Sequence, residues 1–361
     1  MSDPGGQECV FILDPHYHQV RLGQRHVLRG LALAVDGPDV VSVAAYRAGE
    51  LILEAPVHLP SPDIGRVLSS KAASSCRFAG ELRIDRGAPV EVRARREDGG
   101  EELLFAFDVP FVEGEGSRLA RAWGDVLGLP APPPELVERT QGGRDVGAYR
   151  DSIVSGAVSV DRLLRAAGAD PRQIGDVLDL GCGTGRLLLG QHVIEPRRRL
   201  VGVDVAAELV GWARECLPMV ASWRHGTLSP PLDIQPGSFD LVQVVSVFTH
   251  LPLGLQRSWL EEIHRLLRPG GWALVTLHGP IYARLLLDVA RRQVFADAGY
   301  FEIGGGPAGS TLFGTFHTPE FARELFRGFE CVAFFPRGQI GGLAPSPFTP
   351  AVLQDVYILR A

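Results

Sequence analysis

Three glycines at alternate positions, Gly181, Gly183 and Gly185, directly follow an apolar run in the middle of the chain. Glycine permits the tight turn that joins a strand to a helix, and its missing side chain lets a ligand approach the backbone. Asp204 ends the next apolar run, where a carboxylate can accept hydrogen bonds from both hydroxyls of a ribose. The spacing therefore predicts a binding site for a cofactor that contains a nucleoside.

The sequence around this turn, DVLDLGCGTGRLL followed by VGVDVA, resembles the first two cofactor motifs of class I S-adenosylmethionine-dependent methyltransferases. The resemblance continues through SFDLVQVVSVFTHLP, RLLRPGGWALVTLHG and QDVYILR, and it covers residues 149–361. PPLDIQPGSFDLVQVVSVFTHL is similar to methyltransferases associated with glycosyltransferases and surface polysaccharide synthesis, and SPDIGRVLSSKAASSCRFAGEL resembles the β-sandwich domains of such proteins. The resemblance implies S-adenosyl-L-methionine as the cofactor and methyl transfer as the reaction.

A dinucleotide-binding dehydrogenase is the rival interpretation, because it shares the strand, the glycine turn, the helix and the distal acid. Its G-x-G-x-x-G fingerprint needs a small sixth residue for close helix packing, but counting from Gly181 brings Arg186 to that position. Asp179 would repel a pyrophosphate, whereas in a methyltransferase it can hold the cationic aminopropyl arm of S-adenosylmethionine, directly or through water. Both residues favour the methyltransferase.

The resemblance implies a set of residues that contact the cofactor. Asp179 and the three glycines of the turn would surround the methionine portion, and Asp204 would bind the ribose. Val205 would flank the adenine ring.

The adenine amine lacks its usual partner in this sequence. The family commonly places an acidic or amide side chain after the third strand, but the segment WRHGTLSPPL offers neither. The backbone of Gly226, Thr227 and Leu228, or the side chain of His225, is expected to substitute. Tyr149, placed ahead of the first predicted helix, either covers the cofactor or anchors that helix.

Two histidines lie where the acceptor is expected. Methyl transfer to an alcohol requires a base for the departing proton, and a neutral histidine is suited to that task. His250 follows the fourth predicted strand and His278 ends the fifth, at the carboxyl edge where doubly wound sheets carry their chemistry. Each could instead brace its loop. His317 is expected in a loop before a helix that Thr318 caps.

The elements that must position these residues follow from the spacing of apolar residues. Residues 1–112 carry short apolar runs at strand spacing, which predict an antiparallel β-sandwich, and residues 113–146 have the composition of a linker with one short helix. Residues 147–361 alternate strands with amphipathic helices, which predicts an α/β doubly wound sheet of seven strands whose last strand is antiparallel. The predicted strands are 176–180, 199–204, 219–225, 239–246, 272–278, 329–335 and 355–360, and the predicted helices include 153–167 and 255–267.

Composition excludes several other classes of protein. The 36 Lys and Arg residues against 42 Asp and Glu give a net charge of -6, which does not suit a nucleic-acid partner. The five scattered cysteines predict neither a disulfide framework nor a zinc site, no histidine group has metal-ligand spacing, and a reducing cytoplasm fits best. No run is long and apolar enough to predict a membrane span. The oligomeric state stays open.

Three functions remain open from the sequence. The first is O-methylation of a sugar or glycan hydroxyl, which the family resemblance implies. The second is methylation of an apolar small metabolite, such as a polyketide, quinone or lipid precursor, for which the apolar segment 281–316 could form a pocket. The third is a non-catalytic protein that binds a glycan or a protein and retains the cofactor fold as a relic.

Overall fold

The computed structural model describes residues 9–13, 25–35, 37–62, 64–65, 72–84, 89–108, 125–126, 128–141, 144–310, 312–340 and 354–361. The described residues before 121 form one compact unit, and those from 125 onward belong to a second. The first unit contains two antiparallel sheets, of strand order β1-β2-β5 and β4-β3-β6-β7. The strands are β1 (Cys9–Leu13), β2 (Arg25–Ala34), β3 (Val40–Arg47), β4 (Glu50–Pro56), β5 (Arg77–Arg83), β6 (Pro89–Arg96) and β7 (Glu101–Asp108).

One hydrophobic cluster joins the two sheets of the first unit. It contains Leu28 and Phe78 from the three-stranded sheet and Val43 and Val92 from the four-stranded sheet, all of them buried. The apolar side chains alternate with exposed ones along β4 and β5, as the period of two in a strand requires. The two sheets therefore bury their apolar faces in a shared core.

The second unit is built on a seven-stranded sheet of order β10-β9-β8-β11-β12-β16-β15. The pairs among β8, β9, β10, β11 and β12 are parallel, and β16 is antiparallel to both of its neighbours. The predicted α/β architecture with an antiparallel last strand is confirmed. Its strands are β8 (Asp176–Leu180), β9 (Arg199–Asp204), β10 (Ser222–His225), β11 (Phe239–Val244), β12 (Leu267–Leu277), β15 (Glu330–Phe335) and β16 (Asp355–Arg360).

Helices cover this sheet with stripes of apolar side chains. In the longest helix, the buried residues Tyr149, Ile153, Ala157, Val160 and Leu164 recur every three or four positions, which places them on one face. The helices of the unit are α1 (Pro134–Gln141), α2 (Val146–Ala166), α3 (Arg186–Ile194), α4 (Ala207–Cys216), α5 (Leu253–Leu266), α6 (Pro280–Leu286), α7 (Val289–Ala298) and α8 (Pro319–Leu325). None of the described helices is long and apolar enough to cross a membrane.

Several predicted boundaries need correction. Helix α2 begins at Val146 and not at residue 153, so Tyr149 lies in its first turn and does not precede it. Strand β10 has four residues where seven were predicted, and β12 begins five residues before the predicted start. The extension of β12 arises because Leu267 already pairs with Phe239 of β11.

The segment 281–316, predicted only as apolar and pocket-forming, carries defined structure. It contains most of α6, then α7 and an antiparallel hairpin of β13 (Tyr300–Gly304) and β14 (Phe313–His317). His317 is therefore the last residue of a strand and is buried, which corrects its assignment to a loop. Thr318 caps α8 as predicted, because its side chain accepts a hydrogen bond from the backbone N–H of Phe321.

Candidate active site

The glycine turn joins β8 to α3 and is tied to the end of β9. The backbone N–H groups of Gly181 and Cys182 both donate to the carbonyl of Val203, at 2.8 and 3.1 Å. Gly181 and Gly185 have φ angles of +78° and +84°, in the left-handed region that favours glycine. The turn that the sequence predicted is therefore present, and its conformation depends on the glycines.

Large side chains enclose this turn closely. A Cβ atom at Gly181 would lie 2.2 Å from Val247 Cγ2, and one at Gly185 would lie 2.2 Å from Trp223 Cη2. A Cβ atom at Gly183 would meet Thr140 Cγ2 of α1 at 3.1 Å. The glycines thus let these side chains pack directly on the backbone of the turn, which we call the glycine cradle.

Asp204 lies at the carboxyl end of β9 beside the cradle. Its Oδ2 accepts a hydrogen bond from the backbone N–H of Gly183, and its Oδ1 accepts one from that of Ala206, both at 2.8 Å. Each carboxylate oxygen retains a lone pair beyond these bonds. The carboxylate is thus held in one orientation while it can still accept hydrogen bonds from a ligand.

The segment after β10 borders Asp204 but its polar groups are largely engaged. Gly226 donates its N–H to the carbonyl of Asp204 at 2.9 Å, and the Thr227 hydroxyl donates to a neighbouring carbonyl. The carbonyl of Leu228 accepts from the indole of Trp259. Val205, predicted to flank adenine, is 46% exposed. The residues predicted to surround the adenine ring therefore lie together near the end of β9; they are Val205, Gly226, Thr227 and Leu228.

His225 also lies at this end of the sheet. Its Nε2 contacts the carbonyl of Val205 at 3.1 Å, and that carbonyl can only accept, so the proton is on Nε2.

A buried polar cluster lies beneath the turn. Asp179 is 3% exposed, and its burial raises the pKa of its carboxyl group to about 7, although Gln243 hydrogen-bonds it and Arg186 is close enough to act on its charge. Burial also lowers the pKa of the Arg186 guanidinium. The Nε atom of Arg186 is buried and has no hydrogen-bond partner among the described residues. Sequence reasoning used Arg186 only against a dinucleotide site and missed this placement.

Tyr149 contributes to the same cluster from α2. Its hydroxyl lies 2.7 Å from Thr184 Oγ1, and burial raises the pKa of the phenol to about 12. Its side chain is almost fully buried, at 1% exposure. The tyrosine thus packs α2 against the turn.

His250 ends a short 3₁₀ turn, Phe248–His250, that follows β11. Its Nδ1 lies 2.7 Å from the carbonyl oxygen of Phe313, at the start of β14. A carbonyl can only accept, so Nδ1 carries the proton and Nε2 of the neutral ring presents a lone pair. The ring is half-buried. The hairpin that the sequence did not reveal thus fixes the tautomer of His250.

His278 directly follows β12 and is buried. Its ring stacks on Tyr282 with a centroid separation of 4.2 Å, and it meets the ring of His250 edge-on at 6.2 Å. Burial, together with the nearby His250, lowers the pKa of His278 to about 3. The structure therefore places both predicted acceptor-side histidines together at one edge of the sheet.

His317 belongs to a polar network behind these rings. The side-chain amide of Gln256 donates to the carbonyls of Phe248 and Leu251, at 3.0 and 2.8 Å, and its Oε1 accepts from His317 Nε2 at 2.9 Å. Burial lowers the pKa of His317 to about 3. The network joins α5, β14 and the turn that carries His250.

A second polar group at the ends of β11 and β12 was not predicted. Ser246 has a φ of +58°, which is uncommon for a residue other than glycine. Its backbone N–H donates to Thr276 Oγ1 at 2.8 Å, and its hydroxyl donates to Gln354 Oε1 at 3.1 Å. Backbone strain of this kind clusters at functional sites. Contacts across 30 and 108 residues of sequence form this group, so no local pattern could reveal it.

Residues 177–271 match the protein family described as Methyltransferase domain. An uncharacterized methyltransferase of Synechocystis sp. is 37% identical over 106 residues, which are 29% of this chain and 48% of that protein. A trans-aconitate 2-methyltransferase of Azoarcus sp. is 38% identical over 95 residues, 26% of this chain and 36% of that protein. A ubiquinone biosynthesis O-methyltransferase of Methylococcus capsulatus is 30% identical over 116 residues, 31% and 47% of the two chains. The chain thus spans about half or less of the length of these relatives.

Among solved structures, the chain is similar to the 1,6-didemethyltoxoflavin-N1-methyltransferase of Burkholderia thailandensis, at 19% identity and a TM-score of 0.41. That likeness covers 75% of this chain and 95% of the other. A methyltransferase of Methanosarcina mazei is 20% identical with a TM-score of 0.39, covering 51% of this chain and 91% of the other.

Proposed function

We propose that this protein is an S-adenosylmethionine-dependent methyltransferase. The observation that carries the proposal is Asp204, whose carboxylate is oriented by two backbone N–H groups beside a glycine cradle at the carboxyl edge of the sheet. A ribose requires two hydrogen-bond acceptors at such a position. The match of residues 177–271 to the Methyltransferase domain family supports it independently.

The buried cluster under the turn fits the methionine portion of the cofactor, which carries an ammonium and a carboxylate. Asp179 can pair with the ammonium, and Arg186 can pair with the carboxylate through its buried guanidinium. A dinucleotide pyrophosphate would instead meet the carboxylate of Asp179. The charges of these residues therefore complement S-adenosylmethionine and oppose the rival cofactor.

S-adenosylmethionine supplies an electrophilic methyl group and a neutral sulfide as leaving group. The acceptor oxygen would receive this methyl group, with the sulfide as leaving group, and would have to lose its proton. The hydroxyl proton moves to His250 Nε2, which carries the lone pair. The carbonyl of Phe313 holds the opposite nitrogen and stabilises the imidazolium that forms.

His250 is a better candidate for this base than His278. Burial lowers the pKa of His278 to about 3, so its ring is a weak proton acceptor at neutral pH. We therefore assign the proton transfer to His250 and not to His278.

We further propose that the acceptor is a hydroxyl of a sugar or glycan. Near the two histidines, Ser246 and Gln354 carry uncharged polar groups that hydrogen-bond each other, and such surroundings suit an uncharged hydroxylated molecule. The shared core of the two antiparallel sheets supports a β-sandwich within residues 1–112. We propose acceptor capture as the role of this sandwich. The domains would then be residues 1–112 and 147–361, joined by 113–146.

An apolar small metabolite is the second candidate acceptor. It is favoured by the aromatic wall beside His278, where Tyr282 stacks on the imidazole and Phe316 lies 5.5 Å from it between ring centroids. A flat apolar molecule can pack against such a wall. The relative named for ubiquinone biosynthesis is compatible with this candidate.

The five free cysteines fit the reducing cytoplasm that we propose as the location of this protein.

Calorimetric titration with S-adenosylmethionine tests the proposed cofactor. The wild-type protein should bind, and Asp204→Ala should bind more weakly by about 1–3 kcal/mol, because a charged acceptor of two hydroxyl hydrogen bonds is lost. Asp233→Ala, which removes an exposed carboxylate from the same unit, is the matched control and should bind normally. Unchanged affinity of Asp204→Ala would remove Asp204 from the site, and no binding by the wild type would favour the non-catalytic relic.

Transfer of a labelled methyl group tests the acceptor. Methyl glycosides, soluble glycans and apolar phenols should be compared under identical conditions. Labelling of the carbohydrates supports the first candidate, whereas exclusive labelling of the apolar compounds replaces it with the second.

A further inference from the structure

The ring of His278 has one nitrogen that the fold does not use. Its Nδ1 atom is buried and has no hydrogen-bond partner among the described residues. The backbone of Thr315 favours the protonated form of the ring, as a carbonyl acceptor does. Because Nδ1 has no partner, we assign this carbonyl to Nε2–H, which leaves Nδ1 of the neutral ring as a lone-pair acceptor.

A buried acceptor without a partner costs free energy, because it has lost its hydrogen bonds to water. Protonation does not relieve the cost, since the surroundings hold the ring neutral at physiological pH. A donor that arrives with a ligand satisfies Nδ1, in place of an ordered water. Such a site also rejects molecules that lack the donor, because they would leave Nδ1 unpaired.

The position of the His278 ring indicates which ligand supplies the hydrogen-bond donor. His278 directly follows β12, and its centroid lies 6.2 Å from that of His250, the proposed base. Stacking on Tyr282 at 4.2 Å fixes the plane of the His278 ring. The rings of His250 and His278 thus lie side by side, and the hairpin binds His250 through Nδ1.

We propose that His278 Nδ1 accepts a hydrogen bond from a second hydroxyl of the acceptor, next to the hydroxyl whose proton moves to His250. The inference rests on the proposed methyltransferase function and narrows its substrate class to molecules with two neighbouring O–H groups. Both an alicyclic diol, as in a sugar, and an aromatic diol have this chemistry. His278 is then the residue that selects the diol, and His250 the residue that takes the proton.

Paired probes distinguish the two sources of a diol. Methyl transfer from labelled S-adenosylmethionine is measured with cyclohexane-1,2-diol against cyclohexanol, and with catechol against phenol. The wild type should prefer the diol in one pair by at least about tenfold in kcat/KM, since one hydrogen bond to a buried acceptor is worth about that factor. The pair in which the preference occurs identifies the source.

Two variants connect the preference to Nδ1. His278→Phe keeps an aromatic ring for stacking but removes the acceptor, so the diol preference should fall towards one, mainly through a higher KM for the diol. His278→Asn can place an amide oxygen near the Nδ1 position and should retain most of the preference. Thermal unfolding and S-adenosylmethionine titration of both variants show that fold and cofactor site are intact.

Three results overturn the inference. These are an equal rate with diol and mono-alcohol in the wild type, an unchanged preference in His278→Phe, and transfer to neither diol. Cofactor titration of the same samples distinguishes this failure from failure of the proposed function, because S-adenosylmethionine binds whether or not the acceptor is a diol.

Discussion

Asp179 carries a buried carboxyl group whose charge changes near neutral pH. Burial raises its pKa to about 7, while Gln243 and Arg186 oppose that rise without cancelling it. Above that pH the carboxylate is ionised and can pair with the ammonium of the cofactor. Below it the group is protonated, and binding of the cation must first release the proton. Cofactor affinity should therefore fall as the pH is lowered through about 7, by up to about tenfold per pH unit.

Calorimetric titrations with S-adenosylmethionine at about pH 8 and about pH 6 measure this effect. Two buffers of different ionisation enthalpy should reveal proton release on binding at the lower pH. Asp179→Asn should bind weakly at both values and show little dependence on pH. A wild-type affinity that stays constant across this range would separate Asp179 from the ammonium.

His250 is expected to separate chemistry from binding. If Nε2 is the proton acceptor, His250→Ala should lower turnover by about 10²- to 10⁴-fold and leave cofactor affinity nearly unchanged. The wild-type rate should fall at acid pH, because a protonated ring cannot accept the proton, and the variant should lack this acid limb. The measurement is a pH–rate profile of each protein with any acceptor that the labelling experiment identifies.

A second substitution distinguishes the base from a structural brace. His250→Asn can keep a donor near the Nδ1 position for the carbonyl of Phe313, but it has no basic nitrogen. Loss of turnover in His250→Asn with an unchanged melting temperature supports the base. Retained activity with an intact acid limb would assign the ring to bracing the loop.

At the scale of elements, Gln256 of α5 connects the turn that carries His250 to the strand that ends at His317. Its amide and carbonyl groups are all buried and hydrogen-bonded. Gln256→Leu should therefore lower the free energy of unfolding by about 2–4 kcal/mol, because it leaves the carbonyl of Leu251 and the buried His317 Nε2 without their partners. Denaturant unfolding measures the loss. Gln293→Leu, at an exposed position of α7, is the matched control and should change stability little.

The same substitution should reduce turnover more than cofactor affinity, since the displaced element carries His250 and lies away from the glycine turn. A variant as stable as the wild type would show that the network is not what holds these elements together.

The elements that the sequence predicted are those with local signals. The glycine turn, β8, β9 and the cap at Thr318 each follow from residues a few positions apart. The hairpin β13–β14 was missed because its strands have five residues each and contain glycines. The tautomer of His250 and the strained Ser246 were missed because their partners lie 63 and 108 residues away. Sequence periodicity carries no information about such pairs.

At the scale of the whole molecule, the chemistry collects at one edge of the sheet. The glycine turn follows β8, Asp204 ends β9, and His250 and His278 follow β11 and β12. Because these four strands are parallel neighbours, their carboxyl ends meet, and residues spread over about a hundred positions of sequence lie along one edge. This convergence follows from the parallel topology, which is why the sequence could predict the edge on which these residues lie better than their contacts.

Helix α1 lies within the segment predicted as a linker and belongs to the same compact unit as the seven-stranded sheet. Helix α1, in the predicted linker, packs on the glycine turn, since Thr140 lies where a Cβ atom at Gly183 would meet it and its hydroxyl is 3.5 Å from Thr184 Oγ1. Arg139 of the same helix forms an ion pair with Glu208 of α4, and Leu136 and Val137 are buried. The helix therefore belongs to the wall of the proposed cofactor site.

Two fragments test whether this helix completes the unit. Residues 121–361 should fold and bind S-adenosylmethionine as tightly as the 361-residue chain, because the fragment retains α1 and the whole seven-stranded sheet. Residues 147–361 should bind at least about tenfold more weakly and unfold at a lower temperature, because removal of α1 exposes the turn and the apolar residues it covered. Calorimetry and thermal unfolding of the three proteins give the comparison. Equal affinity of the two fragments would show that α1 does not cover the site, and failure of both to fold would show that the residues before 121 are needed for the second unit.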